Sequence, residues 1–126
     1  MSVRILIVED HPLNLELARD ILEARGHTVD AATNVEEAVL ALRGPRPDII
    51  LLDVQIPGGG GEVVLQHIRG DPGTARVPVV AVTAFAMDGD RERFLAQGFD
   101  AYISKPLDVR AFGPEVESIA GQAGAS

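Results

Sequence analysis

The chain has 126 residues, 19 of them acidic and 11 basic, which gives a formal net charge of −8. This length suits one domain of ordinary size, and the acidic balance argues against binding a nucleic-acid backbone directly. There is no cysteine, which excludes disulfides, thiolate metal sites and a thiol nucleophile, and 46% hydrophobic against 24% charged residues argues against disorder.

No segment approaches the roughly 18 consecutive apolar residues that span a membrane. The start, Met-Ser-Val-Arg, lacks the basic flank and long apolar stretch of a secretory signal, so a cytoplasmic home is expected.

Val3 to Val8 is a short β-branched, apolar run and reads as a strand buried on both faces. Pro12 then suits the first turn of a helix carrying Leu13, Leu15, Leu17, Ala18, Ile21 and Leu22 at helical spacing, stopped at Gly26. Thr28 to Ala32 is a second strand. Asn34 is an N-cap ahead of Glu36 and Glu37, opening a helix to about Leu42. After the turn Gly44-Pro45-Arg46-Pro47, a third strand runs from Asp48 to Leu52 and ends at Asp53. Glu62 to Ile68 is a third helix, Val77 to Val82 a fourth strand, Asp88 to Gln97 a fourth helix and Ala101 to Ser104 a fifth strand. Val109 to Ile119 is a fifth helix, with Gly113-Pro114 in its first turn, and Gly121 to Ser126 reads as a frayed tail, so the domain is expected over 1–120 and a flexible tail over 121–126.

Strand and helix thus alternate five times. That pattern predicts an α/β fold, a (βα)5 doubly wound open parallel sheet in the flavodoxin-like strand order 2-1-3-4-5. Ligands in such sheets bind outside the carboxyl ends of the strands. Glu9 and Asp10 follow the first strand, Asp53 ends the third, Thr83 follows the fourth, and Lys105-Pro106 follows the fifth. Taken singly, an aspartate at a strand end is usually a turn residue, and a Lys-Pro pair usually a loop. Jointly they bring three carboxylates, a hydroxyl and an ammonium to one edge. A hard cation relieves the repulsion of the carboxylates, and Mg2+ is apt because it takes oxygen ligands and keeps several waters. Asp10 and Asp53 are the best ligands, with Glu9 acting directly or through water. Asp53 can also attack a phosphoryl group to form an aspartyl phosphate, whose oxygens Mg2+, Lys105 and Thr83 would hold. No glycine-rich phosphate cradle follows the first strand, and Gly58 to Gly61 reads as a flexible turn. His11, His27 and His67 lack metal-ligand spacing and read as surface residues or caps.

Four motifs then carry a family resemblance: Ile-Leu-Ile-Val-Glu-Asp at 5–10, Pro-Asp-Ile-Ile-Leu-Leu-Asp at 47–53, Val-Thr-Ala at 82–84 and Ser-Lys-Pro at 104–106. Over about Val3 to Ile119 the sequence resembles the CheY-like receiver domain of a two-component response regulator. Asn14 and the Ala-Tyr-Ile-Ser-Lys-Pro segment are similar to two subgroups, stand-alone receivers of the DivK type and the receivers of hybrid histidine kinases. The resemblance implies Asp53 as phosphoacceptor, Glu9 and Asp10 as the acidic pair, Thr83 and Tyr102 as switch residues, Lys105 as the phosphate-contacting lysine, Gln55 as a metal ligand through its carbonyl, and a cis bond before Pro106. Where receivers usually carry Pro-x-Met/Leu-Asp/Asn-Gly, this chain has Gly58-Gly59-Gly60-Gly61 after Pro57; Gly61 matches the family glycine but two larger residues are missing, so this loop is expected to be mobile.

The function expected is phosphoryl transfer from a phosphohistidine on a histidine kinase or histidine phosphotransfer protein to Asp53 with Mg2+. Thr83 drawn inward would let Tyr102 turn from exposed to buried, and the face of the fourth helix, fifth strand and fifth helix would signal by protein contact. Phe85, Ala86, Met87 and Phe112 are apolar candidates for that face or for the core. The chain is expected to be a monomer or a weak phosphorylation-dependent dimer, without external-substrate turnover. The alternatives are a hybrid-kinase receiver acting as a phosphotransfer intermediate and a Mg2+-dependent phosphohydrolase. The second is disfavoured by Gln55, where such enzymes carry an acid/base aspartate.

Overall fold

The uninterrupted apolar runs Ile5–Val8, Ile49–Leu52 and Val79–Val82 suit strands covered on both sides, and they make the centre of the sheet. A computed structural model describes residues 2–84 and 89–124. Strands β1 (Arg4–Val8), β2 (Thr28–Ala32), β3 (Ile49–Asp53), β4 (Val79–Thr83) and β5 (Ala101–Ser104) alternate with helices α1 (Pro12–Ala24), α2 (Val35–Ala41), α3 (Gly61–Gly70), α4 (Asp90–Gln97) and α5 (Phe112–Gly124). The strands pair in parallel in the order β2-β1-β3-β4-β5, the doubly wound topology expected from the alternation.

Because side chains alternate along a strand, each strand feeds two cores. Leu6, Val8, Ile50, Leu52, Val79 and Ala81 pack against α2, α3 and Phe94 of α4. Ile5, Ile7, Ile49, Leu51, Val80 and Val82 pack against Ala18 and Leu22 of α1 and Phe112 and Val116 of α5. Phe112 is therefore a core residue, whereas Phe85, Ala86 and Met87 lie outside the described residues.

The helix starts follow local chemistry. Asn34 accepts a hydrogen bond from the Glu37 amide at 2.8 Å, while the Glu37 carboxylate reaches back to the Thr33 amide at 2.7 Å. This reciprocal pairing pins the start of α2. α5 begins at Phe112 rather than Val109, because Asp108 Oδ1 accepts from the Arg110 and Ala111 amides at 2.9 and 3.2 Å and holds a separate turn ahead of the helix. Pro114 is tolerated in the first helical turn, where an N–H has no helical partner. At its other end α5 continues past Ile119 to Gly124. α4 starts at Asp90, and Asp88, expected as its first residue, lies outside the described residues.

His27 corrects the expectation of a surface histidine. Its ring is buried, Nδ1 accepts from the Val3 amide at 3.1 Å, and Nε2 faces Glu117 Oε2 at 2.7 Å. Glu117 also receives a forked bond from Arg25 at 2.7 and 2.8 Å. The histidine was misread because its partner stands 90 residues away on α5. His11 and His67 are exposed as expected.

Candidate functional site

Register delivers the site. β1 and β3 run side by side with Val8 opposite Leu52, so Glu9 and Asp53 emerge together at the carboxyl edge. Asp53 pairs with Val82 and Thr83 with Ser104. The Lys105 amide donates to the Thr83 carbonyl at 2.8 Å, which carries the β4–β5 ladder one residue further and fixes where the lysine side chain starts. Lys105-Pro106 is a cis peptide, as the resemblance implied.

Lys105 Nζ donates to Asp53 Oδ2 at 3.0 Å and also to Glu9 Oε1. Asp53 Oδ1 accepts from the Gln55 amide at 2.9 Å, and Glu9 Oε2 from the His11 amide at 3.2 Å. Glu9 and Asp53 are buried at 5% and 8% exposure, whereas Asp10 stands exposed beside them. Burial pushes the Glu9 carboxyl up, with Lys105 only partly offsetting it. Burial also opposes the charge of Asp53, but hydrogen bonds with Glu9, the Gln55 amide and Lys105 outweigh it, and its carboxyl lies below the usual range. Burial opposes the charge of Lys105 too; the two carboxylates win and hold its ammonium above its ordinary value. At neutral pH the pattern is an ionised Asp53 facing a cation, which is what a nucleophilic carboxylate needs.

Carboxylate oxygens of Glu9, Asp10 and Asp53 lie within 4.8 Å of one another. An all-oxygen donor set of this kind fits a hard divalent cation such as Mg2+. Thr83 ends β4 and is buried at 1% exposure. Tyr102 is half-buried rather than exposed, with its ring stacked on Phe94 at 5.7 Å and an interplanar angle of 19°. Asn14, which the sequence raised only through the family resemblance, lines a small cavity with Glu9, Asp53, Lys105 and Phe112. The first turn of α1 puts it there, four residues after Asp10.

The model of the response regulator receiver domain matches residues 5–116. The chain belongs to the response regulator receiver family. This receiver is 43% identical over 123 residues to the polar-differentiation response regulator DivK of Brucella anthropi, a match covering 98% of this chain and 100% of that protein. DivK of Brucella melitensis is 42% identical over the same length. Among solved structures, a response regulator from Chloroflexus aurantiacus superposes with a TM-score of 0.88 at 26% identity, covering 96% of this chain and 99% of that one. The receiver domain of a sensor histidine kinase from Pseudomonas aeruginosa gives 0.85 at 31% identity, covering 96% and 99%, and that structure has a magnesium ion coordinated in its active-site cleft. Receivers are signalling proteins, and among the described residues no helix is long and apolar enough to cross a membrane.

Proposed function

We propose that this receiver is a phosphorylatable switch in a two-component phosphorelay. The observation that carries the reading is the placement of Lys105 Nζ against both Asp53 and Glu9 beside Asp10. In the proposed reaction an Asp53 carboxylate oxygen attacks the phosphorus of a phosphohistidine on a kinase or phosphotransfer protein. The P–O bond forms as the P–N bond breaks, and the electron pair leaves with the imidazole, which is then protonated. Lys105 shifts from bridging two carboxylates to holding a phosphoryl oxygen, and the Gln55 amide steadies Asp53 throughout. Glu9, Asp10, Asp53 and the Gln55 carbonyl would hold Mg2+, which when bound supplies positive charge to the acidic cluster and the incoming phosphoryl group. The Thr83 hydroxyl then gains a phosphoryl oxygen as acceptor. That differential contact biases Tyr102 and the face built from α4, β5 and α5 toward a second arrangement, which a target protein reads. The lack of cysteine suits a cytoplasmic setting.

Beryllofluoride with Mg2+ stands in for the phosphoryl group. Amide shifts at Thr83, Tyr102 and Lys105 that spread across α4, β5 and α5 support the switch, and shifts confined to Asp53 and its immediate neighbours contradict it. Gln55, where an acid/base aspartate would stand, argues against a phosphohydrolase. Steady release of phosphate from small esters over many turnovers would restore that reading.

A further inference from the structure

We infer that Phe94 is the positioning residue that couples Thr83 to Tyr102. The inference rests on the switch proposed above. Phe94 is one of two buried residues of α4, with Asp90, and is 5% exposed; three side chains converge on its ring. Tyr102 stacks on it at 5.7 Å and 19°. Phe99 meets it edge-on at 5.7 Å and 83°, and the Arg93 guanidinium carbon stands 5.0 Å from its centroid. Phe94 also lines a groove with Thr83, Gln55 and Gly59 to Gly61, between the loop after β3 and α4.

Thr83 and Tyr102 belong to the same side of the sheet. Ala81, two residues before Thr83, packs in the same core as Phe94 and Tyr102, and Ala81 is the register partner of Tyr102. A movement of Thr83 toward a phosphoryl group alters the space at one end of Phe94, while Tyr102 rests against its ring. Near-parallel stacking is orientation-dependent, so it holds Tyr102 in one rotamer until the platform shifts, which an aliphatic side chain of similar volume would not do. Phe99, by contrast, touches Phe94 edge-on and supports it without a ring contact to Tyr102 among those the structure shows.

The chain has one tyrosine, so ring signals of isotope-labelled tyrosine report Tyr102 alone. They are recorded for the wild type, Phe94→Leu and Phe99→Leu, each with and without Mg2+ and beryllofluoride. In the wild type the Tyr102 ring signals carry a ring-current displacement, and they move when beryllofluoride binds. Phe94→Leu abolishes the displacement before any ligand is added, raises the population of the alternate Tyr102 orientation about two- to tenfold, the worth of one ring stack, and at least halves the beryllofluoride response. Phe99→Leu leaves both in place. Wild-type signals in Phe94→Leu, or an equal loss in Phe99→Leu, overturn the inference. If Phe94→Leu does not fold, ring–ring contacts between Phe94 and Tyr102 in the wild type decide: contacts that weaken on beryllofluoride binding support the coupling, and unchanged contacts overturn it. The Lys105 amide shift serves as the check on anion binding. Its absence would sink the phosphoacceptor reading, while the displacement measured without ligand would still decide whether Phe94 orients Tyr102.

Discussion

Lys105 holds two buried carboxylates at once, and its removal shows what the unphosphorylated site costs to assemble. Lys105→Met leaves Glu9 and Asp53 facing each other in a poorly hydrated edge, so we expect a loss on the order of 1–3 kcal/mol in denaturant unfolding without divalent cation. Millimolar Mg2+ should narrow that gap, since a cation in the acidic cluster replaces part of the lost charge; a gap that Mg2+ leaves unchanged would argue that the cluster does not bind it. The positions of Asp53 and Lys105 at one sheet edge were legible in the sequence because Asp53 ends the apolar run of β3 and Lys105 follows β5 directly. The bond between Lys105 and Glu9 was not legible. The two residues stand 96 apart in the chain, and only the register of the sheet reveals that the lysine reaches the carboxylate expected to serve the metal. Tyr102 was placed on the right strand, but its contact with Phe94 depends on the angle at which α4 lies on the sheet, which periodicity does not encode.

At the scale of elements, the loop after β3 shows how a departure from the family pattern is accommodated. Gly58, Gly59 and Gly60 take φ of +102°, +128° and +85°, a run that side-chain-bearing residues rarely adopt. Fast amide exchange at Gly58 to Gly60 is expected, and strong protection there would contradict it. Gly61 is constrained differently. A Cβ on it would lie 2.8 Å from the Val54 Cα and 3.1 Å from the Asp53 carbonyl oxygen, both backbone atoms that cannot swing aside. Gly61→Ala should therefore destabilise the fold by about 1–3 kcal/mol in thermal or denaturant unfolding and displace the acceptor enough to slow its phosphorylation; wild-type values for both would show that the backbone yields there.

The other informative element is α5, tied to the opposite end of the sheet by Glu117. Arg25 and then His27 hold the Glu117 carboxyl down at about 2, against an ordinary value of 4.5. A carboxylate with a depressed folded value stabilises fully above its unfolded value and loses that contribution as the pH falls from near 4.5 toward 2. The stability difference between the wild type and Glu117→Gln, about 1 kcal/mol after solvent screening, should shrink as the pH falls from near 4.5 toward 2. A difference independent of pH would show that the carboxylate charge is not what holds α5. The late start of this helix escaped sequence reasoning because Asp108 can serve either as a helix cap or as a turn residue, and its side chain took the turn.

For the whole molecule, five strand-like segments alternating with five helical patterns pointed to a doubly wound parallel sheet, and its order β2-β1-β3-β4-β5 brings Glu9, Asp53, Thr83 and Lys105 to one edge. Period-two alternation explains why the two cores are separate. One lies under α1 and α5; the other, with Phe94 of α4 in it and Tyr102 of β5 packed against it, lies under α2, α3 and α4. Asp53 stands at the edge the two cores share, and β5 feeds both of them, with Tyr102 packed against one and Ile103 in the other. The net charge of −8 matters less than where three of its carboxylates meet, because Glu9, Asp10 and Asp53 lie within 4.8 Å of one another and two of them, Glu9 and Asp53, pair with Lys105. The most direct measurement is the intact mass of the protein after incubation with acetyl phosphate and Mg2+, alongside Asp53→Asn. A gain of one phosphoryl group in the wild type, absent in Asp53→Asn and absent when Mg2+ is chelated, is the expected result. An unmodified wild type, or an equal gain in Asp53→Asn, would contradict the assignment of Asp53 as the phosphoacceptor.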